Sequence, residues 1–145
     1  MIRKALIFGI TSQDGSYLSE LLLSKDYVVY GLVSSSGKLN LIDHLIDRLK
    51  LLKGDMADYA SIEDVIKRCQ PDEVYNLAAH SSFEYSVNLP IVTCDITALG
   101  ALRVFEAVRK NKPDTKVFQA SSSEVFGSTK NTPQNEKTPF QPRSP

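Results

Sequence analysis

Five short apolar runs recur along this 145-residue chain, separated by stretches with helical spacing. The runs are Lys4–Phe8, Tyr27–Val33, Leu49–Leu52, Glu73–Leu77 and Lys116–Ala120, several of them rich in Val, Tyr or Phe. Runs of this length and composition suit strands buried on both faces. Between them, Leu18, Leu21 and Leu22 recur at helical intervals, as do Ile62, Val65, Ile66 and Cys69 behind Ser61, a candidate N-cap with Asp64 at N3. Pro90 opens a longer pattern through Leu99, Leu102 and Phe105 that ends near Lys112-Pro113, and Leu41–Leu45 suggests one further helical turn. Repeated β-α-β-α order implies an α/β domain with a parallel sheet and right-handed crossovers. This domain is expected over residues 1–127. Residues 128–145, "STKNTPQNEKTPFQPRSP", are polar and proline-rich and read as loop.

The first strand leads into "FGITSQDGSYL", Phe8 to Leu18. Gly9 and Gly15 stand where the first and last glycines of a phosphate-binding strand-to-helix turn would stand, with Ser12 where the middle glycine is usual. A helix N-terminus offers free N–H groups and the positive end of a dipole to a pyrophosphate. An ordinary strand-to-helix turn, with Asp14 as the helix cap, fits the same residues. At the end of the second run, where a ribose-binding carboxylate would lie, stand Val33-Ser34-Ser35-Ser36. The missing carboxylate disfavours an NAD-type grip and leaves room for a 2′-phosphate. Arginine is missing there too, and Lys38 is the nearby cation.

Other short polar segments follow the later strands. They are "GDM" at Gly54–Met56, "NLAAHS" at Asn76–Ser81 and "QASSSEVFG" at Gln119–Gly127. In an open α/β sheet these share the carboxyl edge, where ligands bind. Small residues such as Ala78, Ala79 and Ala120 would let a flat ring lie close to the backbone; tight packing under a loop explains any one of them equally. Ser121, Ser122, Ser123 and Glu124 bring hydroxyls and a carboxylate to this edge, either as hydrogen-bonding and proton-moving groups or as a plain serine-rich turn.

Composition narrows the classes. Seventeen basic and seventeen acidic residues cancel, which removes the electrostatic argument for nucleic acid. No stretch approaches the ~20 apolar residues of a membrane span, and the N-terminus has too short an apolar run for a signal peptide. A cytoplasmic protein is expected. Cys69 and Cys94 fall in helical patterns and read as buried thiols; His44 and His80 lack partners at metal spacing, so no metal is expected. Lys130 and Lys137 read as solvated.

Taken in order, "GITSQDGSYL", "IDHL", "GDM", "PDEVYNLAA", "QASSSEVFG" and "PQNEKTPFQPRSP" resemble the GDP-mannose 4,6-dehydratase family of extended short-chain dehydrogenase/reductases. The resemblance runs from Gly9 to Pro145. It implies a Rossmann-type doubly wound sheet of about five strands, order 3-2-1-4-5, with NADP as cofactor and a GDP-sugar as substrate. The family oxidises the hexose C4 hydroxyl, eliminates water across C5–C6 and returns the hydride to C6. The resemblance assigns the pyrophosphate turn to Gly9, Thr11, Ser12, Gln13, Asp14 and Gly15. It assigns adenine contacts to Asp55 and Met56, and the nicotinamide side to Leu77, Ala78, Ala79 and Ser81. Ser122 stands where the family has a catalytic threonine, and Glu124 matches the glutamate that removes the C5 proton.

This sequence also departs from the family. Ser12 replaces the middle glycine and adds a Cβ where the backbone must come close, so weaker pyrophosphate binding is expected. Phe8 stands before the turn, and Ser34-Ser35 take the place of an arginine pair in a loop about two residues shorter. His80 replaces a glutamine, "SFEY" at Ser82–Tyr85 a different run, Val92 a tyrosine and Thr97 an asparagine. The chain stops before the Tyr-x-x-x-Lys motif that supplies the family's base. The implied part is therefore the N-terminal cofactor domain, inactive alone and prone to self-association. Two alternatives stand beside it: a non-catalytic Rossmann binding or oligomerisation module, and a related GDP-sugar reductase or epimerase.

Overall fold

The computed structural model describes residues 2–35 and 37–145, so Ser36, the last of the serine run after the second strand, lies outside the described residues. Its elements run β1 (Lys4–Phe8), α1 (Gln13–Ser24), β2 (Val28–Val33), a 3-10 segment (Asp43–Arg48) and β3 (Lys50–Lys53). There follow α2 (Tyr59–Cys69), β4 (Glu73–Asn76), α3 (Phe83–Asn88), α4 (Pro90–Thr93), a π-turn (Cys94–Leu99), α5 (Gly100–Asn111), β5 (Lys116–Gln119) and a 3-10 turn (Ser123–Val125). The five strands are parallel and stand in the order β3-β2-β1-β4-β5, as expected.

β1 is the centre of the sheet, pairing Lys4 with Val28 on one side and Ala5 with Glu73 on the other. Its alternate side chains therefore found two separate cores. Leu6 and Phe8 face α2 and α5, among Ile62, Val65, Ile66, Cys69, Val104, Ala107 and Val108. Ala5 and Ile7 face α1 and the 3-10 segment, among Ile10, Leu22, Leu23, Val29, Ile42 and Leu45. Each fully buried aliphatic side chain stabilises the fold by about 1.5–3 kcal/mol before entropy is counted.

Several local expectations need correction. Asp14 is not the cap of α1: Ser12 is, with its Oγ accepting the Gly15 N–H at 3.0 Å. Ser61 does not begin α2. Asp58 does so by accepting the Ala60 N–H at 2.9 Å, which leaves Ser61 inside the first turn. The α1 stripe is shifted, because Leu21 is 52% exposed whereas Ser19, Leu22 and Leu23 are buried. The short turn expected at Leu41–Leu45 lies two residues later, and Cys94 is exposed rather than buried. Cys69 is buried, and that burial pushes its thiol up to about 12.

The long pattern behind Pro90 is not one continuous α-helix. A π-turn interrupts it, and α5 then buries Gly100, Val104, Ala107 and Val108. Leu99, Leu102 and Phe105 face outward instead. Residues 128–145 carry no helix or strand, and they return to the turn beyond β5. Gln141 N–H donates to the Val125 carbonyl at 2.8 Å, Phe140 meets Phe126 edge-on, and Thr138 is buried.

Candidate functional site at the carboxyl edge

The turn between β1 and α1 is closed by two glycines with different duties. Gly9 has φ +82°, and a Cβ there would lie 2.9 Å from both Leu77 C and Ala78 N. Gly15 has ordinary dihedral freedom but no room. A Cβ would press on the Gly9 carbonyl oxygen and lie 2.7 Å from Ile10 Cα. So α1 leaves the sheet in backbone contact with the turn that precedes it, and the Ala78 amide lies against the same turn. Ser12 has φ −80° and ψ 170°, which any residue adopts, and it is solvent-exposed. Within the protein its Cβ therefore costs no strain. Its hydroxyl is the cap.

A helix leaves its first amides without intrahelical acceptors. In α1 Ser12 satisfies only the third of them, that of Gly15. The Gln13 and Asp14 N–H groups find no acceptor among the described residues and sit on exposed positions at the positive end of a 12-residue helix. Thr11 is half-buried beside them. Here the residues present fit a pyrophosphate: two free amides, a dipole end and a turn without side-chain obstruction.

Asp55 and Met56 lie beyond β3, at the same edge. The Asp55 carboxylate accepts the Ala57 N–H at 2.9 Å, and Ser61 Oγ both receives the Asp55 N–H and donates to its carbonyl. Met56 is buried beneath α5. Beyond β4, Asn76 is fully buried; it donates to Gln119 at 2.7 Å and accepts the Ala78 N–H at 3.3 Å, joining the ends of β4 and β5. Leu77, Ala78, Ala79 and Ser81 continue from it, and the His80 N–H donates to Thr97 Oγ1 at 3.1 Å. Ser34 and Ser35, exposed beyond β2, complete the row with Lys38.

Ser122 and Glu124 stand beyond β5. Ser121 takes φ +56°, a left-handed conformation uncommon outside glycine, and turns the chain out of the strand. Ser122 Oγ then accepts the Glu124 N–H at 3.1 Å, and both residues are exposed. Sequence reasoning missed Arg103, which reaches the Met56 carbonyl from α5, and the tie made by Asn76. Neither carries a local signal, since each acts across the fold. His44 pairs with Glu20 at 2.7 Å, and no group of three metal-ligating side chains gathers among the described residues. Nor, among the described residues, is any helix long and apolar enough to cross a membrane.

A doubly wound parallel sheet with a glycine-closed turn after its central strand gives the chain a Rossmann-type fold. A family model described as GDP-mannose 4,6 dehydratase matches residues 6–145, and the chain belongs to that family. It is 49% identical to GDP-mannose 4,6 dehydratase 2 of Arabidopsis thaliana, covering 97% of this chain and 41% of the relative. It is 44% identical to the GDP-mannose 4,6 dehydratase of Drosophila melanogaster, over 97% of this chain and 39% of the relative. The chain thus spans about two-fifths of these relatives and corresponds to their N-terminal part. Among solved structures it resembles the Bordetella bronchiseptica enzyme WbmH in complex with NAD+. That match has a TM-score of 0.83 at 26% identity and covers 99% of this chain and 48% of that one.

Proposed function

We propose that this chain is the NADP(H)-binding part of an enzyme that converts GDP-mannose to its 4-keto-6-deoxy product. The observation that carries the reading is the pair of unanswered amides, Gln13 and Asp14, held at the start of α1 by glycines that admit no side chain. Bound NADP supplies the hydride acceptor. The chain's own residues hold it: the α1 turn carries the pyrophosphate, Asp55 and Met56 receive the adenine, and Leu77 to Ala79 with Ser81 line the nicotinamide side. Ser34 and Ser35 leave space for a 2′-phosphate, and no carboxylate there repels it. Ser122 offers a hydroxyl to the sugar oxygen, and Glu124 takes the C5 proton once a C4 ketone has made it acidic.

Neither group removes the C4 hydroxyl proton that must leave first. Tyr75 is no substitute: its hydroxyl donates to Glu73 at 2.7 Å, and burial together with that carboxylate pushes the phenol up to about 12. In this reading that proton therefore goes to a base other than Ser122, Glu124 or Tyr75. Self-association accompanies the reading, since Ile91 on α4 and Leu102 and Phe105 on α5 are exposed apolar side chains. Its compartment in this reading is the cytoplasm. Fluorescence titration with NADPH and NADH tests the assignment: NADPH binding tighter than NADH is expected, and tighter NADH or no binding of either overturns it.

A further inference from the structure

We infer that Arg103 is a positioning residue for the adenine side of the proposed cofactor site, an inference that rests on the reading above. Arg103 lies on α5 with its side chain 21% exposed, and its guanidinium makes three short contacts. Nη2 donates to Asp95 Oδ1 at 2.7 Å, while Nη1 donates to the Asp95 carbonyl at 2.8 Å and the Met56 carbonyl at 3.2 Å. The Asp95 carbonyl is also the acceptor of the Gly100 N–H, the five-residue bond that defines the π-turn. One side chain thus fastens the π-turn and the loop after β3 to each other.

That junction is tight on its other side as well. Gly100 is buried, and a Cβ on it would stand 3.2 Å from Met56 Cε. The loop's other hydrogen bonds run from the Gly54 N–H to the Val33 carbonyl at 3.0 Å and, locally, from Asp55 to Ala57, Asp58 and Ser61. They fix its shape, but none of them ties it to α5, where the Met56 side chain supplies packing and no hydrogen bond. Arg103 does, with a planar fork whose two terminal nitrogens divide the contacts, the carboxylate on one and both carbonyls on the other, whereas a lysine carries its three N–H donors on a single nitrogen. A cavity of about 450 Å³ lies against the junction, lined by Asp55, Ala57, Asp95, Ile96 and Leu99 among others. Moving either Asp95 or the loop changes its wall. The Asp55 carboxylate and Met56 therefore keep their place through a residue that need touch no ligand.

The test uses the full chain as wild type, Arg103→Ala, Arg103→Lys and Asp95→Asn. NADPH is titrated by fluorescence, inorganic pyrophosphate is used as competitor, and amide exchange is followed at Ala57, Asp58 and Gly15. Arg103→Ala should weaken NADPH about fivefold or more while leaving pyrophosphate competition unchanged. Ala57 and Asp58 should exchange faster, Gly15 should not, and Arg103→Lys should recover part of the affinity. Unchanged NADPH affinity with a lowered melting temperature would reduce Arg103 to a structural residue and overturn the inference. Equal loss of NADPH and pyrophosphate binding would also overturn it, as general loosening. A wild type that binds no NADPH sinks the cofactor reading itself, and the inference falls with it.

Discussion

At the carboxyl edge, the end of β1 and the end of β5 carry the same kind of sequence, small and hydroxylic, yet they are built differently. Behind β1 the backbone itself is packed: Gly9 touches the Leu77–Ala78 peptide, Gly15 touches Gly9 and Ile10, and the strand beneath is fully buried. Behind β5 the strand is an edge, Phe118 is 54% exposed, and Ser122 and Glu124 bond only to each other's segment while facing solvent. Binding geometry at β1 is thus imposed by the core. Geometry beyond β5 is imposed by a local turn together with the returning loop that contacts it through Gln141 and Phe140. A positioned proton transfer needs the first kind of support, and here the two proposed chemical groups have the second.

The comparison breaks most visibly under assay. Incubating the purified chain with GDP-mannose and NADP should give no 4-keto-6-deoxy product above background; sustained turnover without a second polypeptide would mean that the β5 end is organised after all. A smaller effect comes from the β1 end. Gly15→Ala should destabilise the fold by about 2 kcal/mol or more, because the methyl meets backbone that cannot rotate away, and should abolish NADPH binding. Urea unfolding measures the first; a loss under ~0.5 kcal/mol would show that the turn can open.

Ser12→Ala separates cap from strain. It should cost about 1 kcal/mol by freeing the Gly15 amide, whereas a gain in stability would mean that the serine was crowded. The smallest effect lies away from both ends, in the tie between α2 and α5. Hydrogen bonds from Lys110 and Lys67, both at 2.7 Å, hold the Glu63 carboxyl down at about 2 against an ordinary 4.5. A carboxyl lowered in the folded state stabilises above its unfolded pKa, and the benefit fades as pH falls from about 4.5 towards 2. Glu63→Gln should therefore lower the melting temperature at pH 7 and converge on wild type near pH 2; an equal deficit at both pH values would point to lost packing instead.

The same contrast explains what could be read in the sequence. The strands were legible to within a residue because each is a brief apolar run closed by polar or turn-forming neighbours. Where α1 starts was not, since Ser12 and Asp14 are both capping types and only the backbone path decides between them. Ser61 failed for the same reason, with Asp58 three residues earlier. Across the π-turn and α5 two apolar stripes compete, Leu99-Leu102-Phe105 and Val104-Ala107-Val108, and spacing does not say which one meets the sheet. The π-turn that sets the phase has no sequence signature here. Arg103 was silent because its role joins residues 8 and 47 positions away.

Amide hydrogen exchange with and without saturating NADPH distinguishes a dinucleotide site completed at β1 by the chain's own packing from a chemical site at β5. A dinucleotide held at β1 gives new protection at Gln13 and Asp14, the two amides without acceptors among the described residues, with protection also at Ala57 and Ala78 and none at Ser122 or Glu124. Protection confined to residues beyond β5, or none at Gln13 and Asp14 despite measurable binding, would contradict it.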